Sequence, residues 1–241
     1  MIVVDAGDSL RFVTQGDHAH FAADLLSLCR LPELENHPRR EALLEAVREH
    51  DNGWRELDAA PRVEPATMTP HTFETLPGDE RRKLWSRGTR RLSEGNPQVA
   101  LLITQHALAL HQDLGGEATW DAWLEEMSDF RADLLEETDL TQDQLDRDHE
   151  YLRFADRCSL AVCTDRKEPF VGLGAQVVFA QGSLQIDPLP LVGATSFSIR
   201  CRWLPKRPYA SDLDLGSELA AARWQTFGVR VSAPRRRNHD T

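Results

Sequence analysis

The 241-residue chain has no apolar run long enough to cross a bilayer, which excludes a membrane-spanning helix. Its opening, MIVVDAGDSLRFV, lacks the basic start and long apolar stretch of a secretory leader, so the expected location is cytoplasmic. Positive charge is scarce. With 28 Lys and Arg against 39 Asp and Glu, the formal net charge of −11 lacks the basic footprint that nucleic acid or an anionic membrane requires. The one basic run, Arg235, Arg236 and Arg237, sits near the end of the chain and reads as a solvated tail. Cys29, Cys158, Cys163 and Cys201 contain no C-x-x-C pair, so they predict reduced, mostly buried thiols rather than a zinc knot or a disulfide framework. No internal repeat is visible.

What is present is a globular composition. Apolar residues make up 41% of the chain, enough to bury a core within one domain spanning residues 1–241. In IVVDAGDSLRFVTQ, apolar segments flank the turn composition DAGDS, which predicts a β-hairpin. Thr14 and Asp17 have capping-box spacing, and QGDHAHFAADLLSLC carries apolar residues at helical intervals. PRREALLEAVREHD predicts a second helix, with Pro38 near its start and Gly53 just past its end. The proline-rich DAAPRVEPATMTPHTFETLP has no clean period and reads as one long loop, of a length that is often functional.

Four helices follow, in GDERRKLWSRGTRRLSE, NPQVALLITQHALALHQDLG, TWDAWLEEMSDFRADLLEET and TQDQLDRDHEYLRFADRCSLAVC. The second of these is apolar nearly all round, as the buried centre of a bundle is. From about Pro169, short apolar stretches broken by Gly and Pro predict strands, then a short helix in SDLDLGSELAAARWQ and a last strand in TFGVRVSA. The expected class is α+β: a helical core over residues 15–165 packed beside one antiparallel sheet formed by residues 1–14 and 169–233. An exposed edge of that sheet could support a homodimer.

Helical periodicity also sorts the polar residues. His18, Phe21, Ala22, Leu25 and Cys29 share one face, whereas His20 lies about 200° away and should be exposed. Leu43, Val47, His50 and Trp54 follow one stripe, and Leu44, Val47 and Asp51 follow its neighbour, so both members of the His50-Asp51 pair point inward. His106 shares a side with Leu102, Ile103 and Leu110, while His111 is rotated about 140° from it. His149, Leu152, Asp156, Ser159 and Cys163 line up in the last long helix. Ordinary roles exist for each: a core histidine with a hydrogen bond, Asp51 capping a backbone, Asp156 paired with Arg48, Arg55 or Arg153. Convergence of three histidines and two aspartates from four helices favours a shared cation, and that donor set suits a divalent transition metal: iron, manganese, zinc or nickel.

The order His18, then His50-Asp51, then Asp156 in FADRCSL resembles the H…HD…D pattern of the HD-domain superfamily, helical proteins that include metal-dependent phosphohydrolases and di-iron oxygenases. MIVVDAGDSLRFVTQGDHAHFA, VREHDNGWRELDAAPRV and LPKRPYASDLDL resemble a bacterial family described only as a domain of unknown function. The first resemblance implies an HD-domain-like bundle with metal ligation by His18, His50, Asp51 and Asp156, and His106 fits the further histidine such proteins often carry. Where many of them continue the dyad with glycine and lysine, this chain has Asn52, Gly53 and Trp54, so the usual nearby cation is missing.

Three functions are expected from these residues. The first is a metal-dependent hydrolase of a small phosphorylated or otherwise polar metabolite, with Asp51 as both ligand and catalytic residue. The second is a di-iron oxygenase, which needs two histidines between the dyad and the last aspartate: His106 and one of His71, His111 or His149. His149 stands two turns, about 10.5 Å, from Asp156 and should border a pocket rather than share its ion. His71, in the proline-rich loop, could fold over the site. The third is a non-catalytic, metal-stabilised ligand-binding protein, its small-molecule pocket beside Trp54.

Overall fold

The computed structural model describes residues 1–234, so the Arg235–Arg237 run lies outside the described residues. The chain opens with a hairpin of β1 (Ile2–Asp5) and β2 (Ser9–Val13). The helical portion contains α1 (Gln15–Ser27), α2 (Pro32–Glu35), α3 (Arg40–Glu49), α4 (Arg55–Ala59), and then the short strands β3 (Val63–Glu64) and β4 (Thr69–Pro70). It continues through α5 (Gly78–Arg90), α6 (Pro97–His111), α7 (Ala118–Glu137) and α8 (Gln142–Cys163). The last third holds β5 (Phe170–Gly172), β6 (Ala175–Ala180), β7 (Ser183–Asp187), β8 (Thr195–Pro205), α9 (Asp212–Ala221) and β9 (Gln225–Ser232). The fold is mixed helix and sheet, and no helix among the described residues is long and apolar enough to cross a membrane.

The N-terminal hairpin joins the C-terminal strands in one seven-stranded sheet of order β1-β2-β8-β9-β7-β6-β5. It is not wholly antiparallel, as the sequence led us to expect, because β7 and β9 run parallel with Ser183 opposite Arg230. The chain between them contains β8 and α9, a connection long enough to bring β9 back in the same direction. The proline-rich segment also departs from the expected featureless loop: Val63 pairs with Pro70 and Glu64 with Thr69, and Asp212 accepts the Val63 N–H at 2.7 Å. The last helix stops at Ala221, where Ala222 is extended, so Trp224 and Gln225 leave it for the final strand.

Helices and sheet share one apolar cluster. Phe21 of α1 meets Phe197 of β8 edge-on, with ring centroids 5.3 Å apart. Val177, Leu184, Ile199 and Val231 from the sheet are buried in the same cluster as Leu25, Val47, Ile103 and Leu152 from the helices. Helix α6, apolar almost all round, packs against α3, α5, α7 and α8, as its composition requires. All four cysteines are reduced and buried.

Candidate metal centre

Local sequence fixes each inward group. Thr14 caps α1 by accepting the Asp17 N–H at 2.9 Å, and this phase turns His18 to the buried side and His20 to solvent. Helix α3 ends at Glu49, and His50 and Asp51 form the corner before a 3₁₀ turn over Asn52–Trp54. Asn52 Nδ2 donates to the Glu49 carbonyl at 2.9 Å and to the Gly88 carbonyl at 3.0 Å, satisfying a helix-end acceptor and binding the corner to α5. Gly53 allows that approach, since a Cβ there would overlap the Leu84 carbonyl oxygen and lie 3.2 Å from Gly88 Cα. Helix α8 begins with a complete capping box between Thr141 and Gln144 and carries His149, Asp156 and Ser159 inward.

Four side-chain atoms converge in the core. His18 Nε2 lies 3.2 Å from His50 Nε2, 3.4 Å from Asp51 Oδ2 and 3.3 Å from Asp156 Oδ1. His50 Nε2 lies 3.5 Å from Asp51 Oδ2 and 3.4 Å from Asp156 Oδ1. The far nitrogens of both rings are already committed. His50 Nδ1–H donates to the Val47 carbonyl at 2.7 Å. Ser159 Oγ–H donates to the His18 carbonyl at 2.8 Å, so the same hydroxyl oxygen accepts the His18 Nδ1–H at 2.6 Å. Each Nε2 therefore presents a lone pair toward two carboxylates, an arrangement that needs either an added proton or a cation.

The donor spacing fits a cation. Ligands about 2.0–2.1 Å from one centre in a tetrahedral shell stand about 3.3–3.4 Å apart, and the five separations above bracket that value. Two carboxylates match one divalent charge, and both histidines have the outer-shell partners that fix a ligand's tautomer. His18, His50, Asp51 and Asp156 are thus a buried group that can hold a metal ion.

Charge in the protein alone tells the same story. Burial would lower His18, but hydrogen bonds to Asp156 and Asp51 outweigh it and raise its pKa well above 6.5. Burial likewise opposes His50, whose pKa is raised by Asp51 and Asp156. Burial would raise both aspartates, yet His50 and His18 hold Asp51 below its ordinary value, and His18 and His50 hold Asp156 well below. The aspartates stay ionised, and the imidazoles take protons where no cation neutralises them.

A family model described as protein of unknown function (DUF3891) matches residues 1–206. The chain belongs to that family. No curated protein and no solved structure gives a significant match. The DUF3891 match includes all four converging residues and stops before α9 and β9.

The other expected residues divide. His106 is in the centre: its Nε2 is 3.8 Å from Asp156 Oδ2, and with His50 and Asp156 it makes a second group able to hold a metal. His149 bonds His106, Nε2 to Nδ1, at 3.2 Å and lines a 410 Å³ cavity that also borders His106 and Asp156. Burial pushes His106 down to about 3 and His149 to about 4, so both are neutral rings near pH 7. Trp54 lines a 190 Å³ cavity that opens on His50, Asp51 and Asp156. His71 is not among the residues lining it. The β3–β4 hairpin holds the His71 N–H on the Arg62 carbonyl, and its ring meets Thr75 and Glu64 instead, while Phe73 takes the cavity wall. None of the three candidate arginines pairs with Asp156: Arg48 pairs with Asp24 and Arg55 with Glu49, and the ion-pair partners of Asp156 among the described residues are His18, His50 and His106 rather than Arg153.

Part of that wall has no mark in the helical stripes. Gln15, Phe73, Arg81 and Trp85 line the cavity, as does His111, the weaker histidine candidate of its helix. His111 Nδ1–H donates to the Ala107 carbonyl and its ring stacks on Trp120, centroids 5.2 Å apart. Arg81 and Trp85 stand four residues apart on α5, the one signal in the sequence that they share a face.

Proposed function

We propose that the protein is a metal-dependent hydrolase of a small polar metabolite, with an HD-domain-like centre. The observation that carries this reading is the convergence of His18 Nε2, His50 Nε2 and two carboxylate oxygens within 3.2–3.5 Å, both rings having their remaining hydrogens bonded elsewhere. A divalent ion there would supply Lewis acidity toward a substrate oxygen and make water acidic enough to furnish hydroxide near neutral pH. Ser159 and Val47 hold the two rings in the tautomer that ligation needs. Asp51, ionised and on the cavity wall, is the residue able to orient a water and receive its proton. A cavity on the His50, Asp51 and Asp156 side speaks for catalysis over a purely structural ion, whose shell would be closed.

The second reading, a di-iron oxygenase, is favoured by one feature: His50, His106 and Asp156 form an overlapping metal-capable group. Metal count and turnover separate the readings. The metal-loaded protein should hydrolyse a generic ester such as p-nitrophenyl phosphate or p-nitrophenyl acetate, and Asp51→Asn should abolish that turnover. Two irons per chain with no hydrolysis would replace the first reading by the second.

A further inference from the structure

Nine buried side-chain nitrogen or oxygen atoms among the described residues lack a hydrogen-bond partner within the protein. Four of them, Gln15 Oε1, Trp54 Nε1, Arg81 Nε and His106 Nε2, belong to residues lining the one cavity beside His50, Asp51 and Asp156. Buried polar atoms are normally satisfied, so their clustering marks a place where a molecule other than the chain completes them.

The type of atom identifies the partner. Two of the four, Trp54 Nε1–H and the Arg81 guanidinium, can only donate, so the group that meets them must accept, while Gln15 Oε1 can only accept and takes a donor elsewhere on the same molecule or a water. On α5, Lys83 pairs with Asp79 and Arg87 with Glu56, whereas Arg81 and Arg82 have no carboxylate partner among the described residues, and of these two only Arg81 lines the cavity. Its guanidinium carbon instead lies 5.6 Å from the centroid of the Trp120 ring. Once Asp51 and Asp156 balance a divalent ion, Arg81 is the remaining formal charge on the cavity wall. Its position is set by the Gly53–Gly88 contact and the Asn52 bond to Gly88, which press α5 against the His50-Asp51 corner.

We propose that Arg81, with Trp54 Nε1, receives the oxyanion group, carboxylate or phosphate, of a small anionic substrate whose reacting end lies at the His–Asp cluster. The identity of the reacting end rests on the hydrolase reading; the anion site rests on Arg81 and the cavity. The 190 Å³ volume is below the roughly 300–1,000 Å³ of drug-sized sites, so the ligand is a metabolite of few heavy atoms. Trp54, Phe73, Trp85 and Leu110 give its body apolar walls.

The test is calorimetric titration of inorganic phosphate and, separately, benzoate into the wild-type chain, Arg81→Met and Arg81→Lys. Each chain is measured metal-loaded and metal-stripped, with a thermal melt to verify folding. At least one anion should bind the wild type at millimolar concentration or tighter, at least tenfold more weakly to Arg81→Met, with Arg81→Lys between. The preferred anion tells whether the group is a phosphate or a carboxylate. Failure of both anions to bind the wild type, or equal binding to Arg81→Met, overturns the inference. Arg81-dependent binding by a chain that takes up no metal would sustain this site and refute the hydrolase. Metal uptake with anion affinity indifferent to Arg81 would do the opposite.

Discussion

Replacing Gly53 by alanine tests how the corner is docked. Its φ is not in the left-handed region, so elsewhere such a change would stabilise the chain by about 0.4–1 kcal/mol through the unfolded state. Here the added Cβ would overlap the Leu84 carbonyl oxygen, 3.1 Å from its carbon and 3.2 Å from Gly88 Cα. All three neighbours are backbone, so no rotamer change relieves them. Carbon contacts want about 3.5 Å or more, and α5 must retreat by roughly 1 Å. Such overpacking costs about 1–3 kcal/mol. The retreat also strains the Asn52–Gly88 bond and the 2.6 Å bond from Arg87 Nη2 to the Gly53 carbonyl, each contributing about 0.5–1.5 kcal/mol. The expected loss is about 2–4 kcal/mol, a fall in Tm of about 5–12 °C for a chain of this size. Urea and thermal unfolding read it directly. Metal content should persist, because the four donors come from α1, the α3 corner and α8 rather than from α5. An unchanged or raised Tm would refute the docking argument.

Ser159→Ala should leave the fold intact but weaken metal affinity about 10–100-fold, measured by competition with a chelator, because the His18 tautomer loses its outer partner. Metal-free protein should be most stable near pH 6.5 in urea titrations. His106, His149 and His111 have depressed values, so their share is lost as pH falls below 6.5; His18 and His50 have raised values, so theirs is lost as pH rises through the folded values. Asp51 and Asp156, both lowered, contribute above about pH 3.8 and lose their share only below it. Metal should displace the His18 and His50 protons and move the optimum upward, and an optimum unaffected by metal would contradict this. Burial pushes Cys29 up to about 12 and raises Cys158 well above its ordinary value, so Ellman's reagent should titrate the thiols only after denaturation, and rapid reaction of either in the native protein would count against the packing.

The cluster was legible because each of its four converging side chains lies in or beside a helix whose apolar stripe is strong. A stripe of His18, Phe21, Ala22 and Leu25 permits one inward direction, and the same holds for Asp156 between Leu152 and Ser159. The His50-Asp51 dyad could be placed even though α3 ends just before it, since the 3₁₀ turn continues the helical sense into Trp54. Long-range choices left no such local mark. The parallel β7–β9 pair depends on the path through β8 and α9, and neither strand's sequence encodes its neighbour. Cavity walls were harder still. Arg81 reads as one more charge in a basic helix, and Phe73 rather than His71 reaches the cavity because of a two-residue hairpin hidden in proline-rich sequence. Asp148, also buried, is explained without a metal: His37 bonds it at 2.8 Å and Arg39 at 3.0 Å.

Elemental analysis of protein purified without metal-affinity steps, alongside His50→Ala and Asp156→Ala, bears most directly on the metal centre. The expected result is about one divalent transition-metal ion per wild-type chain, or two if the His106 group is also loaded, and near-complete loss in both variants with helical content retained. Wild-type protein free of metal after metal-replete growth, or variants that keep their full complement, would contradict it.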